Sequence, residues 1–436
     1  MVTTNLHSQD INKGQQPQPK SKFPRALIAL NSRNFRLFWS GQLVSLTGTW
    51  MQTTGQDWLV LQLTHSAWLL GVVGALQFLP VLLFSLFSGV IADRFPKRRL
   101  LFCTQITSML LAAILCILVF TGTVRIWHIF ILATLLGITN SLDMPVRQSF
   151  VVEMVGKETL PNAIALNSSS FNLARIIGPS IAGILISWFG EAPLFLFNAI
   201  SFIPVLFSLY FIRSAELYNQ PSRQKQQQKQ GTFKSLGEGL SYIRHVPIVF
   251  MIITLVGVVS LFGINFNVVL PLFADTVLNV GSQGYGFISS AFGVGALISA
   301  VWLAWSNKPA TIKHLLIGGL LFGISEALFA ISHIYILSLL FIAVIGFNMI
   351  AFTARANSML QAVTPNHLRG RIMSVYTIVF AGTTPIGNLF IGALASAFGA
   401  SIALIAGAVP CIIAVIIAWC MRKPVEKSMK EINQIT

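Results

Sequence analysis

Asp57, Arg175 and Glu326 stand inside long apolar stretches of the chain, where an ionisable side chain is costly to place and therefore informative. Asp57 follows a polar stripe. Gln42, Ser45, Thr49, Gln52 and Gln56 recur at alternating spacings of three and four, which puts them on one face of a helix. Gly41, Gly48 and Gly55 repeat beside them every seven residues. Such a stripe either lines a wet cavity or joins helices through amide bonds and close glycine contacts, and the spacing allows both. Asp57, next to Trp58, could bind a proton or attract a cationic cargo; the alternative is a hydrated aspartate near a surface. Arg175 lies about 21 Å beyond Pro161 at 1.5 Å per helical residue, well inside its stretch. Its insertion costs roughly 2.5–3.5 kcal/mol, which predicts an interior partner: a carboxylate, a carbonyl or an anionic group on a substrate. Glu326 is a proton-site candidate by the same argument.

The composition explains why these charges stand out. Of 436 residues, 54% are hydrophobic and only 10% charged, where a soluble globular chain carries about 25% charged residues. The mean hydropathy is +0.74. Apolar stretches of 20 residues or more are long enough to cross a bilayer as helices, so the chain reads as a polytopic, all-α membrane protein. Twelve spans are predicted, near 35–62, 66–92, 99–120, 126–146, 163–189, 192–212, 246–273, 285–305, 314–331, 334–354, 372–398 and 400–421. The net charge of +16 follows this topology. Nearly all Lys and Arg fall in the tails or in loops on one side, with Arg125 on the other and Arg175 within a span. By the positive-inside rule both termini face the cytoplasm, and the basic balance needs no nucleic acid. Residues 1–22 are polar, and the first apolar stretch is too long for a cleavable signal.

Residues 1–34 and 422–436 read as cytoplasmic tails and 213–245 as a cytoplasmic linker, Gln/Lys-rich at 220–230. The linker divides two six-span bundles, 35–212 and 246–421. One phrase is written in both: IGPSIAGILISWFG at 177–190 and IGNLFIGALASAFG at 386–399, an offset of 209 residues. Each copy lies in the fifth span of its half. Gly178 and Gly183, like Gly387 and Gly392, let helices approach closely, and Pro179 stands where the second copy has Asn388. Parallel repeats of this kind build secondary transporters, with a site between the halves. The four cysteines, Cys103, Cys116, Cys411 and Cys420, have no metal-ligand spacing, and no metal site is expected.

The loop GVIADRFPKRR, from Gly89 to Arg99, resembles motif A of the major facilitator superfamily, G-x-x-x-D-R-x-G-R-R/K, with Pro96 and Lys97 as departures. In the fifth span Ala165, Ala174, Gly178, Pro179, Ala182 and Gly183 occupy the positions of motif C of its drug:proton antiporters, three of them changed to alanine. The phrases NFRLFWSGQLVSLTGTWMQ, DMPVRQSFVVEMV, LPNAIALNS and HLRGRIMS resemble a bacterial exporter branch of the same superfamily. That resemblance covers nearly all of the twelve spans. It implies two pseudo-symmetric bundles with spans 1, 4, 7 and 10 around the cavity, which agrees with a cavity-lining stripe in span 1. It places span 9 at the periphery, where Glu326 reads as a carboxylate reaching water rather than as a proton site. It also implies a gate. Asp93, with Gly89 and Arg94 beside it, would meet the N-terminus of span 11, near Arg369 and Arg371. Lys97 would pair with Asp143, one turn from Arg147.

The function the resemblance implies is proton-driven export of small amphiphilic molecules, of siderophore or drug type, across a bacterial cytoplasmic membrane. Uptake or facilitated diffusion of a nutrient is the alternative within the same fold, and a membrane enzyme or scaffold lies outside it. The short loops hold no Ser/His/Asp or metal constellation, and no Walker A sequence occurs. The expected partners are a small-molecule substrate and the bilayer, for a monomer using a proton gradient and no cofactor.

Overall fold

Residues 24–218, 232–306 and 310–424 are described by the computed structural model. They fold into thirteen α-helices with no strand among them. Most of the expected N-terminal tail, the Gln/Lys-rich part of the linker and the end of the C-terminal tail lie outside the described residues.

Before the linker come α1 (Arg33–Thr64), α2 (Ala67–Arg94), α3 (Lys97–Phe120), α4 (Ile126–Phe189) and α5 (Ala192–Phe211). After it come α6 (Thr232–His245), α7 (Pro247–Val258), α8 (Phe266–Thr276), α9 (Gly281–Trp305), α10 (Ile312–Ala330), α11 (Tyr335–Val363), α12 (Asn366–Phe398) and α13 (Ala400–Cys420). A helix stands at each predicted span, but three are drawn differently. Spans 4 and 5 are the arms of one 64-residue helix, α4, folded back at Gly156, whose φ of 73° is open to glycine at low cost. The expected break at 147–162 is therefore one residue, and both arms are longer than their apolar cores. Span 7 is interrupted: α7 passes into a π-helical turn at Val259–Gly263 before α8 resumes it.

Local chemistry sets the helix ends. Ser32, Ser66 and Thr311 cap α1, α2 and α10 through their hydroxyl oxygens. Gly190 and Gly399, the last letters of the repeated phrase, take positive φ values of 76° and 84° and stop α4 and α12. In the first half α1 packs on α4 and α5, α2 on α4, and α3 on α4 and α5. In the second, α11 packs on α9 and α10, and α10 on α13. Two seams join the halves, α2 against α12 and α4 against α9. Large apolar side chains stay exposed all around the helices, Ile336 at 78%, Trp188 at 70% and Phe207 at 60% among them. Such a surface suits hydrocarbon, not water.

Candidate functional site

The seams are tight at the end of the molecule away from the linker, here the far end. A Cβ added to Gly183 of α4 would lie 2.7 Å from the Ser282 carbonyl oxygen and 3.0 Å from the Gly286 Cα of α9. A Cβ on Gly392 of α12 would lie 2.8 Å from the Ala67 carbonyl oxygen and 3.2 Å from the Gly71 Cα of α2. The earlier glycine of each phrase faces its own half: Gly178 meets Trp50 of α1, and Gly387 meets Leu261 and Asn265 on the broken span 7. At the linker end, among the described residues, nothing lies within 4 Å of a Cβ added to Gly89 of α2 or Gly370 of α12. The halves are thus closed together at the far end, and among the described residues these two glycines meet no such contact at the linker end.

Arg175 lies on α4 just below the closed part. Its guanidinium sits 4.3 Å from the ring centre of Phe292 on α9 and 5.6 Å from that of Trp50 on α1. The ring partners replace the expected carboxylate or carbonyl: among the described residues no carboxylate forms an ion pair with it. Rings attract a cation through their quadrupole but accept few of its N–H bonds.

Asp57 lies higher, in the closed part. It is 7% exposed, and the Tyr285 hydroxyl of α9 donates to its Oδ2 at 3.3 Å. Trp58 stacks on the same tyrosine, ring centres 6.0 Å apart. The hydrated-aspartate alternative does not hold, because α9 covers the carboxyl. Sequence reasoning missed Trp50, Tyr285 and Phe292. The small residues Gly284, Gly286, Gly293 and Gly295 of α9 signal close helix contact, but not which rings meet which charges.

The stripe of α1 divides. Gln52 accepts from Asn198 Nδ2 of α5 at 2.7 Å, and Gly41, Gly48 and Gly55 all face α5, so this part is helix packing. Gln42, Ser45 and Gln56 are buried, with no bonding partner for Gln42 Oε1 or Gln56 Nε2, while Thr49 is exposed. Glu326 departs from expectation. It is 2% exposed, inside the second half, with Oε1 3.3 Å from where a Gly407 Cβ would be and Oε2 without a partner. The resemblance placed it at the periphery, reaching water, but α10 turns this face toward α13.

The expected Lys97–Asp143 pair is also corrected. Lys97 pairs with Glu153, and Asp143 instead holds Arg147 and accepts from Thr104 at 2.7 Å and Gln105 at 2.8 Å. Thr104 is seven residues, about 10 Å, along α3 from Lys97, so Asp143 stands beyond the lysine's reach. Arg94 is exposed and Arg371 half-buried, while the Asp93 side chain lies outside the described residues.

A model of the family "transmembrane secretion effector" matches residues 25–435. The staphyloferrin A transporter of Staphylococcus aureus is 28% identical over 375 residues, covering 84% of this chain and 90% of that protein. The multidrug efflux pump Tap of Mycolicibacterium fortuitum is 26% identical over 370 residues, 83% and 89% of the two chains. The enterobactin exporter EntS of Escherichia coli is 25% identical over 363 residues, 83% and 85%. Among solved structures, a bacterial homologue of the human lysosomal transporter Spinster, inward-facing and unoccupied, superposes with a TM-score of 0.68 at 13% identity, covering 92% of this chain and 98% of that one. A POT family transporter in complex with 5-aminolevulinic acid gives 0.70 at 14% identity, covering 90% and 97%. The structural likenesses show the fold, and the family match carries the rest. The chain belongs to the transmembrane secretion effector family of the major facilitator superfamily and is a multi-pass membrane transporter of small molecules, not an enzyme.

Proposed function

We propose that this carrier exports a small amphiphilic molecule, of siderophore or drug type, from the cytoplasm by alternating access in exchange for protons. The observation that supports it best is the contrast between the two ends: glycine seams seal the far end, while Gly89 and Gly370 meet nothing within 4 Å among the described residues at the linker end. By the positive-inside rule the basic loops favour the bacterial cytoplasm for the linker end. In that orientation the carrier stands ready to take cargo from inside. The named activities of the staphyloferrin A, Tap and enterobactin relatives favour siderophores or drugs as cargo and, for two of them, the outward direction.

Residues 35–212 and 246–421 are the two bodies that rock, with 213–245 as their tether and 1–34 and 422–436 as tails. Asp57 is the coupling acid in this reading. Its bond to Tyr285 joins the two halves. Opening the far end separates the pair and wets the carboxyl, so the contact belongs to one state only, as a coupling group requires. At the other end, Asp93 closes on the N-terminus of α12 when the carrier turns outward. Neither cofactor nor partner chain enters the cycle, and the monomer works within the bilayer.

Inside-out vesicles with an acidic lumen test the reading against a panel of siderophores and cationic drugs. Accumulation should depend on the pH gradient and collapse with a protonophore. Asp57→Asn should lose uphill accumulation and keep downhill equilibration. Accumulation indifferent to the protonophore overturns antiport, and no movement of any compound overturns export.

A further inference from the structure

We propose that Arg175 is the anchor for an anionic group on the cargo, a carboxylate or similar oxygen anion, and that Phe292 holds the guanidinium in its place while the carrier is empty. The proposal rests on the transport reading above and adds the charge class of the substrate.

Three observations support it. The guanidinium is a fixed cation in mid-span whose neighbours are rings rather than carboxylates, 4.3 Å and 5.6 Å from the centres of Phe292 and Trp50. Its forked N–H groups are shaped to take two oxygens of one anion at once, an arrangement the rings do not provide. The site is also approached from the open end. One and two turns toward the linker end on the same face of α4, Phe171 is 45% exposed and Ser168 is exposed. Phe171 meets Trp50 edge to face at 5.6 Å, so an amphiphile entering there passes an aromatic wall before reaching the charge. Finally, the arginine spans the seam. It belongs to the first half and Phe292 to the second, and α4 and α9 touch closely beside them, a Gly293 Cβ lying 3.1 Å from the Arg175 carbonyl oxygen.

This last point links binding to motion. An anion that draws the guanidinium off Phe292 removes a contact between the halves at the foot of the closed seam. Cargo binding then favours opening of the far end, and by reciprocity closure weakens cargo binding. Phe292 and the anion compete for the same cation.

The test uses two dyes with related ring frames and opposite charge, 5-carboxyfluorescein and rhodamine 123, in inside-out vesicles and in binding assays on the purified full chain. In the wild type the anionic dye should be exported. Arg175→Gln should lower the ratio of anionic to cationic export at least tenfold, and Arg175→Lys should recover part of it. Phe292→Leu should tighten binding of the anionic dye about threefold or more, which loss of a purely structural contact would not do. Equal loss of both dyes in Arg175→Gln, or weaker anion binding in Phe292→Leu, overturns the proposal. Wild-type export of rhodamine 123 alone also overturns it and leaves the transport reading standing. Export of neither dye counts against the transport reading itself.

Discussion

Along α4 and α9 the halves exchange hydrogen bonds and a cation–π contact; along α2 and α12 they exchange close backbone contacts and leave an amide unpaired. On the first seam Ser180 Oγ donates to Ser290 Oγ at 2.7 Å, and Ser290 in turn donates to the Ile176 carbonyl at 2.6 Å. Arg175 meets Phe292, and beside this seam Tyr285 of α9 reaches Asp57 of α1. On the second seam Asn388 is 0% exposed, and neither atom of its amide has a hydrogen-bond partner. A Cβ on Gly74 would come within 2.6 Å of that amide nitrogen. The two phrases therefore fix the same backbone approach twice, through Gly183 and Gly392, while the residues that differ decide what holds it. The first seam is pinned and the second carries a buried polar group that closure does not satisfy. Closure is thus favoured on one side and taxed on the other, which suits a carrier that must open again.

The largest effect should come from breaking what the seams share. Gly183→Leu and Gly392→Leu each force a side chain into space where a Cβ alone meets backbone within 2.8 Å. Overpacking costs about 1–3 kcal/mol or more, so far-end closure should fall about tenfold and transport with it. Spin labels placed at Gly122 and His333, on far-end turns of opposite halves, should report longer distances in both variants. A variant that keeps the wild-type distance would show that its seam is not a closing contact. Tyr285→Phe comes next and touches only the α1–α9 contact beside the pinned seam. It leaves Asp57 without its donor at a cost of about 1 kcal/mol, roughly a fivefold loss of the closed state. An unchanged distance distribution would remove the pair from the closing machinery.

The repeated glycines were legible in the sequence because close backbone approach admits few other residues, and their period survives duplication. The all-α membrane fold was legible for the same kind of reason: apolar length and low charge leave few alternatives. The site was legible in part. Arg175 and Asp57 stand out as charges against an apolar background, but their partners Phe292 and Tyr285 lie in the other half, more than a hundred residues away. No local pattern announces which helices of two bundles will adjoin. Glu326 shows a related limit, since the resemblance places span 9 at the periphery but does not say which face of the helix the carboxyl takes. The Lys97 partner was misjudged because the resemblance supplied a pairing, whereas the height of Glu153 on α4 decides it. Of the two ways of reading the α1 stripe, packing describes Gln52, which bonds to α5, while Thr49 is exposed and joins no such contact among the described residues.

The smallest effect should also have the opposite sign. Asn388→Ala removes an amide that the closed second seam leaves unpaired, so closure should gain rather than lose. The gain is at most about 1 kcal/mol and is partly offset by the small void left behind, so about a threefold increase in the closed population is expected. Export should slow slightly, because the far end opens less readily. Combining it with Tyr285→Phe sharpens the contrast. The two sites lie on different seams and share no partner, so their effects should add and nearly cancel, returning the label distances toward wild type. If Asn388→Ala opens the far end instead, the amide has a partner in the closed state and the second seam is pinned after all. The asymmetry would then rest on Arg175 alone, with Thr384 in the corresponding place of the second phrase bonded to the Phe380 carbonyl of its own helix.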